Sequence, residues 1–223
     1  MKTIQFHKAK FIIALGAIAL FSAGLSSCKK DKDAEPSAYI MATNSAEGST
    51  SQDFTVDDNK TNVNALAYTQ ATTYTPVKVG DHQLQFKSSG TATVNSTASL
   101  NTEAGNYYSV FYLDDKSTVT LKDDQTDPQP GKARVRFINL SSVLTTNVDF
   151  GVAAGTKLVT GLGRKAASAY YEINAATAFS LYLAGSTSVL LNIPVTIQAG
   201  HIYTVYVSGS TGATLSYHLI MNK

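Results

Sequence analysis

Residues 104–110 read AGNYYSV, and residues 199–205 read AGHIYTV. In each stretch a turn-forming Ala-Gly is followed by aromatic and β-branched residues, which indicates a β-strand entered through a tight turn. The two stretches lie 95 residues apart, and further matches occur on both sides of them at offsets of 95 or 96 residues. Matches in the same order at a nearly constant offset indicate an internal duplication. Two copies are therefore predicted, at 38–124 and 132–223.

Each copy is predicted to be a β-sandwich. Residues 134–138 (RVRFI) begin with a period of two, and residues 202–207 (IYTVYV) are β-branched or aromatic throughout. Turn signals recur at roughly the 8 to 12 residue spacing of a sandwich. We therefore expect an all-β fold of two tandem immunoglobulin-like or transthyretin-like β-sandwich repeats, with about seven strands each. Further strands are predicted at 179–183, 193–197 and 213–219, with the strand of Pro194 at a sheet edge.

The segment between the copies, residues 125–131 (QTDPQPG), contains two Pro, one Gly and no large apolar side chain. This composition predicts a short, stiff linker. It also predicts that the two copies are separate domains.

The N-terminus has the pattern of an exported lipoprotein. Three lysines within the first ten residues precede an uncharged apolar run at 11–25, which is shorter than the ~20 residues of a transmembrane helix. The next residues complete LSSC at 25–28, which resembles the lipobox of bacterial lipoproteins, and Cys28 is the only Cys in the chain. We therefore predict a signal peptide at 1–27 and a membrane anchor on lipidated Cys28.

Residues 28–37 (CKKDKDAEPS) are charged and poor in apolar residues, as in a flexible tether. The segment is similar to the Lys and acidic cluster that follows the lipidated Cys in Bacteroidetes lipoproteins of the outer cell face. The similarity implies an outer-membrane protein displayed on the cell surface. The alternative is that the segment is only a polar spacer, which would leave the protein facing the periplasm.

The second copy resembles a known family. It opens with ARVRFINLS at 133–141 and continues with VDF at 148–150, GL at 161–162 and AGHIYTV at 199–205. This series is similar to the domain of unknown function 4397, a β-sandwich repeat of bacterial exported proteins and lipoproteins. The resemblance spans nearly all of the second copy and, more weakly, the first. It implies a sandwich fold and an envelope location but no activity, and residues 142–146 depart from the Pro- and Asp-containing turn usual in the family.

The composition excludes several functional classes. A single Cys rules out an internal disulfide and a Cys-based zinc cluster, and a net charge of +2 argues against a nucleic-acid partner. The histidines after the signal peptide are His82, His201 and His218, and none lies in a nucleophile motif. We therefore expect no enzymatic activity, cofactor or metal, with a hydrolase as the least favoured alternative.

Two sets of charged residues could bind ions. The acidic doublets at 57–58, 114–115 and 123–124 could supply oxygen ligands to Ca²⁺, although none has the spacing of a calcium loop, so solvated turns are the main interpretation. The segment GLGRK at 161–165 could form an anion cradle, but it has no helix start behind it and is expected to be a basic hairpin tip.

Two pairs of adjacent tyrosines, 107–108 and 170–171, are candidates for ligand binding. Neighbouring residues in a strand point to opposite faces, so one ring of each pair is expected to face outward. Exposed tyrosines can stack on sugars or anchor a protein interface. Tyr107, Tyr170 and Tyr171 are therefore the predicted ligand or partner contacts, and the absence of Trp weakens the sugar interpretation.

The two copies have opposite charge. Residues 38–124 contain 5 basic and 10 acidic residues, giving −5, and residues 132–223 contain 7 and 2, giving +5. This asymmetry predicts contact between the repeats, or head-to-tail association of chains, weakened by salt. The alternative is that the charge difference arose by sequence drift between the duplicated copies.

The sequence therefore predicts a lipid-anchored envelope protein that is a structural, adhesive or partner-binding module. A glycan-binding accessory lipoprotein of a polysaccharide-uptake system is the alternative. The identity of the ligand is left open by the residues.

Overall fold

Runs of β-branched and aromatic residues separated by turn residues form the strands of the computed structural model, which describes residues 37–153 and 155–223. The predicted signal peptide, Cys28 and the tether up to residue 36 lie outside these residues. The described residues contain no helix, so the all-β prediction is confirmed. The first repeat contains β1 (Ser37–Asn44), β2 (Gln52–Val56), β3 (Asn59–Lys60), β4 (Thr75–Lys78), β5 (Gly80–Ser88), β6 (Val94–Thr102), β7 (Tyr107–Tyr112) and β8 (Thr118–Asp123).

The second repeat contains eight strands in the same arrangement. The first repeat forms sheets ordered β4-β1-β7-β8 and β3-β2-β5-β6, and the second forms β12-β9-β15-β16 and β11-β10-β13-β14. In both repeats the first and seventh strands pair in parallel. The model therefore contains two repeated β units, with eight strands in each rather than about seven. The strands are β9 (Lys132–Asn139), β10 (Val148–Val152), β11 (Lys157–Leu162), β12 (Tyr171–Asn174), β13 (Phe179–Leu183), β14 (Leu191–Ile193), β15 (Ile202–Ser208) and β16 (Ser216–Met221).

Two of the predicted strands have different bounds. The strand expected at 193–197 ends at Ile193, immediately before Pro194, because proline has no N–H to donate to a ladder. It lies at a sheet edge, as predicted. The strand expected at 213–219 begins only at Ser216, because residues 211–214 form a turn that is closed by hydrogen bonds of Thr211.

Each repeat has its own core between its two sheets. Phe54, Phe86 and Val110 are fully buried in repeat 1, and Phe150 and Val205 occupy the equivalent core of repeat 2. These residues alternate along their strands with residues of the opposite face, as the period of two requires. The apolar positions of the alternating sequence pattern are therefore the residues that fill these two cores.

A third apolar cluster lies between the repeats. Met41 and Phe111 from repeat 1 pack with Ile138, Tyr206 and Ile220 from repeat 2, and all are buried. The sheet β4-β1-β7-β8 therefore faces the sheet β12-β9-β15-β16, and the central strands β7 and β15 are buried on both faces. Residues 37–223 form a stack of four sheets with three apolar layers between them.

The Ala-Gly turns from which the duplication was inferred have the same construction in both repeats. Gly105 and Gly200 have φ angles of +73° and +84°, a region that glycine enters without steric cost. Beyond each turn a tyrosine hydroxyl accepts a hydrogen bond from a backbone N–H five residues upstream. These bonds join Glu103 N to Tyr108 Oη at 3.1 Å and Gln198 N to Tyr203 Oη at 3.3 Å.

Candidate functional site at the junction of the repeats

The acidic doublet of the β7–β8 turn is neutralised by the basic segment of the other repeat. Arg164 Nη1 lies 2.9 Å from Asp115 Oδ2, and Arg164 Nη2 lies 3.1 Å from Asp114 Oδ1. Lys165 Nζ lies 2.8 Å from Asp115 Oδ2. Burial alone would raise the pKa of Asp115, but the hydrogen bonds from Lys165, Ser117 and Arg164 lower it overall. The acidic turn and the basic segment are therefore each other's ion-pair partners, which neither the solvated-turn nor the hairpin-tip interpretation anticipated.

A second ion pair is buried in the centre of the junction. Arg136 Nη2 lies 2.5 Å from Asp123 Oδ1, and both side chains are at most 2% exposed. Asp123 Oδ2 also accepts hydrogen bonds from Tyr74 Oη at 2.6 Å and Ser109 Oγ at 2.7 Å. Arg136 Nε donates to Thr204 Oγ1 at 2.9 Å. A buried charge requires such partners, so the carboxylate of Asp123 is part of the interface between the repeats.

The linker is held by repeat 2. Arg134 donates to Asp124 Oδ2 at 2.6 Å and to the carbonyl of Thr126 at 2.8 Å. The hydrogen bond from Arg134 holds the pKa of Asp124 well below its usual range. Lys223 Nζ lies 2.6 Å from Asp127 Oδ1. These contacts occupy the acids considered as calcium ligands, and no group of three or more metal-ligating side chains occurs among residues 37–153 and 155–223.

The junction has the pattern of a two-fold interface within one chain. The loop after β7 contacts the loops after β9 and β11, through Ser142 and Arg164. In the reverse sense, the loop after β15 contacts the loop after β1, where Ser210 N donates to Glu47 Oε2 at 2.6 Å. Phe111 and Tyr206, which are equivalent by the 95-residue offset, meet at 5.6 Å between ring centroids. Reciprocal contacts of this kind characterise the isologous interface of a two-fold dimer. The expected contact between the repeats is therefore present.

The histidines that were candidates for a general base lie apart. His218 Nε2 is 2.9 Å from Ser208 Oγ and 3.4 Å from Tyr68 Oη at the junction, where Ser208 is only 1% exposed. Burial lowers the pKa of His218 to about 4. His82 Nδ1 lies 2.6 Å from Asp57 Oδ2 in the outer sheet of repeat 1, and His201 lies at the start of β15. The Ser208–His218 contact is thus buried between the repeats.

A cleft of about 530 Å³ opens beside the junction. Its lining includes Asn106, Tyr107, Lys122, Asp123, Asp124 and Gln125, which come from β7, β8 and the linker. We refer to it as the Tyr107 cleft.

Tyr107 belongs to a cluster of three tyrosines. Its ring stacks on Tyr39 with centroids 4.5 Å apart and an interplanar angle of 13°. Tyr74 meets the Tyr107 ring edge-on at 5.0 Å. The contribution of Tyr39 and Tyr74 was missed at the sequence level, because they come from segments distant in the chain. The match of Tyr74 with Tyr170 at the 96-residue offset was the only available signal for either residue.

The polar groups of the cleft are fixed by ion pairs. Lys122 Nζ lies 2.9 Å from Glu103 Oε2, and the hydrogen bond raises the pKa of Lys122. Asn106 Nδ2 donates to the same carboxylate at 2.7 Å. Tyr74 Oη is buried beside Asp123, and burial together with that negative charge raises the pKa of Tyr74. The Tyr107 cleft therefore combines an aromatic surface with charged and amide groups of defined position.

Tyr170 and Tyr171 do not form an exposed surface. All three predicted contact residues, Tyr107 included, are half-buried rather than fully exposed, and the neighbour Tyr108 is buried. Tyr170 packs between Arg134 and Arg136, each with its guanidinium carbon 5.2 Å from the ring centroid. Burial raises the pKa of Tyr170 to about 12. Tyr171 packs against the core of repeat 2, so only Tyr107 lines the cleft.

The family resemblance can now be tested against known proteins. A family model described as "Domain of unknown function (DUF4397)" matches residues 38–151. The chain belongs to this family. The matched residues span the first repeat and the first two strands of the second. No curated protein matches the chain, and among residues 37–153 and 155–223 no helix is long and apolar enough to cross a bilayer.

Three solved structures show similarity to this DUF4397 protein. The C-terminal domain of AlgF from P. aeruginosa is 32% identical, with a TM-score of 0.31 over 41% of this chain and 98% of that one. A family 26 carbohydrate-binding module of Eubacterium rectale Amy13K, in complex with maltoheptaose, is 12% identical, with a TM-score of 0.29 over 82% and 96% of the chains. Family 41 carbohydrate-binding modules from streptococcal virulence factors are 11% identical, with a TM-score of 0.27 over 81% and 96%. At these TM-scores the similarities do not bear on the ligand.

Proposed function

We propose that the protein is a non-enzymatic, lipid-anchored protein of the outer membrane, displayed on the cell surface, that binds a partner in the Tyr107 cleft. The observation that carries the proposal is the packing of Tyr107 against Tyr39 and Tyr74 at a cleft whose charged groups are already paired. Paired charges hold the cleft in shape without supplying a free acid or base. Half-buried aromatic residues are favoured as anchors of protein interfaces.

The strand order favours the transthyretin-like member of the two expected sandwich types. The immunoglobulin constant-type order places four strands in one sheet and three in the other. Each repeat here has two four-stranded sheets, and the first strand pairs in parallel with the seventh. We infer a transthyretin-like sandwich for both repeats.

Site-specific photo-crosslinking in intact cells tests the partner site. A benzophenone amino acid in place of Asn106 faces the Tyr107 cleft, and the same group in place of Thr97, which is exposed on β6, is the matched control. We expect a discrete adduct from position 106 that is absent from position 97 and is lost on Tyr107→Ala. Identical adducts from both positions, or none from position 106, would contradict the proposal.

The anchor and the location have separate tests. Metabolic labelling with palmitate should label the natural protein but not Cys28→Ser. Protease added to intact cells should degrade a surface-displayed protein. Survival of the protein in intact cells, with degradation only after the outer membrane is opened, would place it on the periplasmic side.

Glycan binding is the second candidate function, as part of a polysaccharide-uptake system. The observation that favours it is the nearly parallel Tyr39–Tyr107 pair at the cleft, because aromatic rings stack on sugar faces. Affinity electrophoresis in gels containing polysaccharide should show retardation that Tyr107→Ala removes. Tyr107→Phe keeps the ring and should retain retardation. Equal mobility of the natural protein with and without each polysaccharide would argue against this role.

A further inference from the structure

The two repeats differ at one edge of their outer sheets. In repeat 2, strand β11 pairs with β10 from Lys157 to Leu162. In repeat 1 the equivalent strand β3 ends at Lys60, Thr61 N still donates to Phe54 O at 2.9 Å, and the chain next rejoins β2 where Leu66 bridges Gln52. Residues 62–65 therefore leave the backbone ladder in repeat 1 alone.

The side chain of Asn62 fills the gap in the ladder. Its Oδ1 accepts a hydrogen bond from Phe54 N at 2.7 Å, and its Nδ2 donates to Gln52 O at 3.2 Å. The same Nδ2 donates to Asn64 O at 2.7 Å. The buried amide thus replaces the missing backbone neighbour and holds residues 63–65 away from the sheet, with Val63 93% exposed at the rim.

A pocket of about 350 Å³ lies between this displaced segment and residues 70–75. We call it the Asn62 pocket. Its volume is within the range of roughly 300–1,000 Å³ that is usual for small-molecule sites. Its lining contains hydroxyl and amide groups together with the apolar side chains of Val63, Ala65, Leu66 and Ala71, and no charged or aromatic side chain contributes to it. The polar lining residues besides Asn62 are Thr61, Asn64, Gln70, Thr72, Thr73 and Thr75.

Part of this lining is already used to build the walls. Thr72 Oγ1 accepts a hydrogen bond from Ala42 N at 3.0 Å, and Gln70 Oε1 accepts one from Ala67 N at 3.0 Å. By contrast, the hydroxyls of Thr73 and Thr75 and the side-chain amide of Asn64 make no hydrogen bond to other described residues. The pocket therefore offers neutral donors and acceptors on a preformed wall.

We propose that the Asn62 pocket binds the neutral, hydroxyl-bearing end of a glycan. A charged ligand would lack a counter-charge in this lining, and an apolar ligand would leave the hydroxyl and amide groups without partners. A sugar supplies hydroxyls that both donate and accept, which matches threonine and asparagine side chains. The proposal concerns a second site and stands independently of the Tyr107 cleft.

Nuclear magnetic resonance titration of the ¹⁵N-labelled mature chain, with Cys28→Ser to keep it free of lipid, tests the proposal. The probes are maltohexaose, cellohexaose and mannohexaose, with a hexagalacturonate as the charged comparison. We expect at least one neutral probe to shift amide signals of residues 61–75. The double variant Thr73→Val, Thr75→Val keeps the side-chain shape and should weaken this binding about tenfold, because two hydrogen bonds are lost. Thr97→Val on β6 is the matched control and should bind like the natural chain.

Three results would overturn the proposal. The first is the absence of shifts in residues 61–75 with every neutral probe. The second is binding that the Thr73→Val, Thr75→Val variant leaves unchanged, and the third is equal or stronger binding of the hexagalacturonate at these residues. If the first result came with shifts confined to the neighbours of Tyr107, it would support glycan binding in the Tyr107 cleft instead.

Discussion

Arg136 and Asp123 show how single residues determine which repeats can pair. In the other copy, Met41 matches Arg136 at the 95-residue offset, and Asn222 matches Asp123, because Asp123 pairs with Tyr107 at the start of β7 as Asn222 bonds Ile202 at the start of β15. Met41 and Asn222 are both uncharged. Two copies of repeat 1 would therefore bury Asp123 against a methionine, and two copies of repeat 2 would bury Arg136 against an asparagine. An unpaired buried charge costs several kcal/mol. Only the pairing of repeat 1 with repeat 2 satisfies both charges.

The buried ion pair gives a stability prediction. Arg136→Met leaves Asp123 buried without its counter-charge and should lower the free energy of unfolding by about 3–5 kcal/mol. The double variant Arg136→Met, Asp123→Asn introduces the residues that the copies carry at the equivalent positions and should recover most of this loss. Urea unfolding of the mature chain measures both. A double variant less stable than Arg136→Met alone would contradict the assignment.

His218 gives a prediction about pH. Burial keeps its folded pKa at about 4, below the usual value of 6.5, so the unfolded chain binds a proton first as the pH falls. The stability that neutral His218 contributes is fully present above pH 6.5 and is lost between pH 6.5 and 4. We expect a loss of about 1–2 kcal/mol after allowance for partial exposure.

The variant His218→Gln isolates this contribution. It should flatten the dependence of the unfolding free energy on pH between 4 and 6.5. The carboxylates with lowered pKa values, such as Asp115 and Asp124, lose their contribution at lower pH. An unchanged slope in His218→Gln would contradict the assignment.

Among the elements, the second strand of each repeat carries an aspartate that fixes a distant turn. Asp149 accepts hydrogen bonds from Gly161 N at 2.8 Å and Gly185 N at 3.0 Å, and Asp53 accepts one from Gly90 N at 3.3 Å. Burial alone would raise the pKa of Asp149, but these backbone hydrogen bonds lower it overall. Asp53-Phe54 and Asp149-Phe150 match at the 96-residue offset, so the same turn anchor occurs at the same position of both repeats.

The loss of this anchor has a measurable cost. Asp149→Ala leaves two backbone N–H groups without their acceptor and should lower the unfolding free energy by about 1–3 kcal/mol. Asp81→Ala removes a carboxylate whose one hydrogen bond with a described residue comes from Asn101 at the exposed surface, and should change the unfolding free energy by less than about 0.5 kcal/mol. Thermal unfolding of the two variants makes the comparison, and equal midpoints would contradict the role of Asp149.

At the scale of the whole molecule, the opposed charges of the repeats meet in one interface that also has an apolar centre. Arg164 and Lys165 meet Asp114 and Asp115 at its edge, and Phe111 and its neighbours fill its middle. Exposed ion pairs are screened by salt, whereas apolar burial is not. The contact is therefore expected to persist at high ionic strength, although the charges select its partners.

Cleavage of the linker tests this expectation. A protease site placed within residues 128–130 lets the intact chain fold before it is cut. We expect the two fragments to co-elute in size-exclusion chromatography at 0.05 M NaCl and, to a smaller extent, at 1 M NaCl. The variant Arg164→Ala, Lys165→Ala should separate more readily at 0.05 M NaCl, with a smaller difference at 1 M, where salt already screens these ion pairs. Separation of the natural fragments at low salt would contradict a stable interface.

The sequence by itself was sufficient for the all-β class, the duplication and most strands, because a period of two, β-branched runs and Gly turns act over a few residues. The runs at 134–138, 179–183 and 202–207 became strands, whereas the strand expected at 193–197 ended before Pro194. The resemblance to the DUF4397 family was visible in the same local motifs. Lipidation at Cys28 stays a prediction.

The partners of the charged residues were decided only by the tertiary structure. The sequence shows that the two copies have opposite net charge. Local patterns do not specify which sheet packs against which, so Asp114, Asp115 and Asp123 were candidates for ion binding. The packing of the two inner sheets against each other brought these acids to basic residues 13 to 50 positions away in the chain. The same packing half-buried Tyr107 beside Tyr39 and Tyr74. Long-range packing, which no local period encodes, thus determined the candidate site.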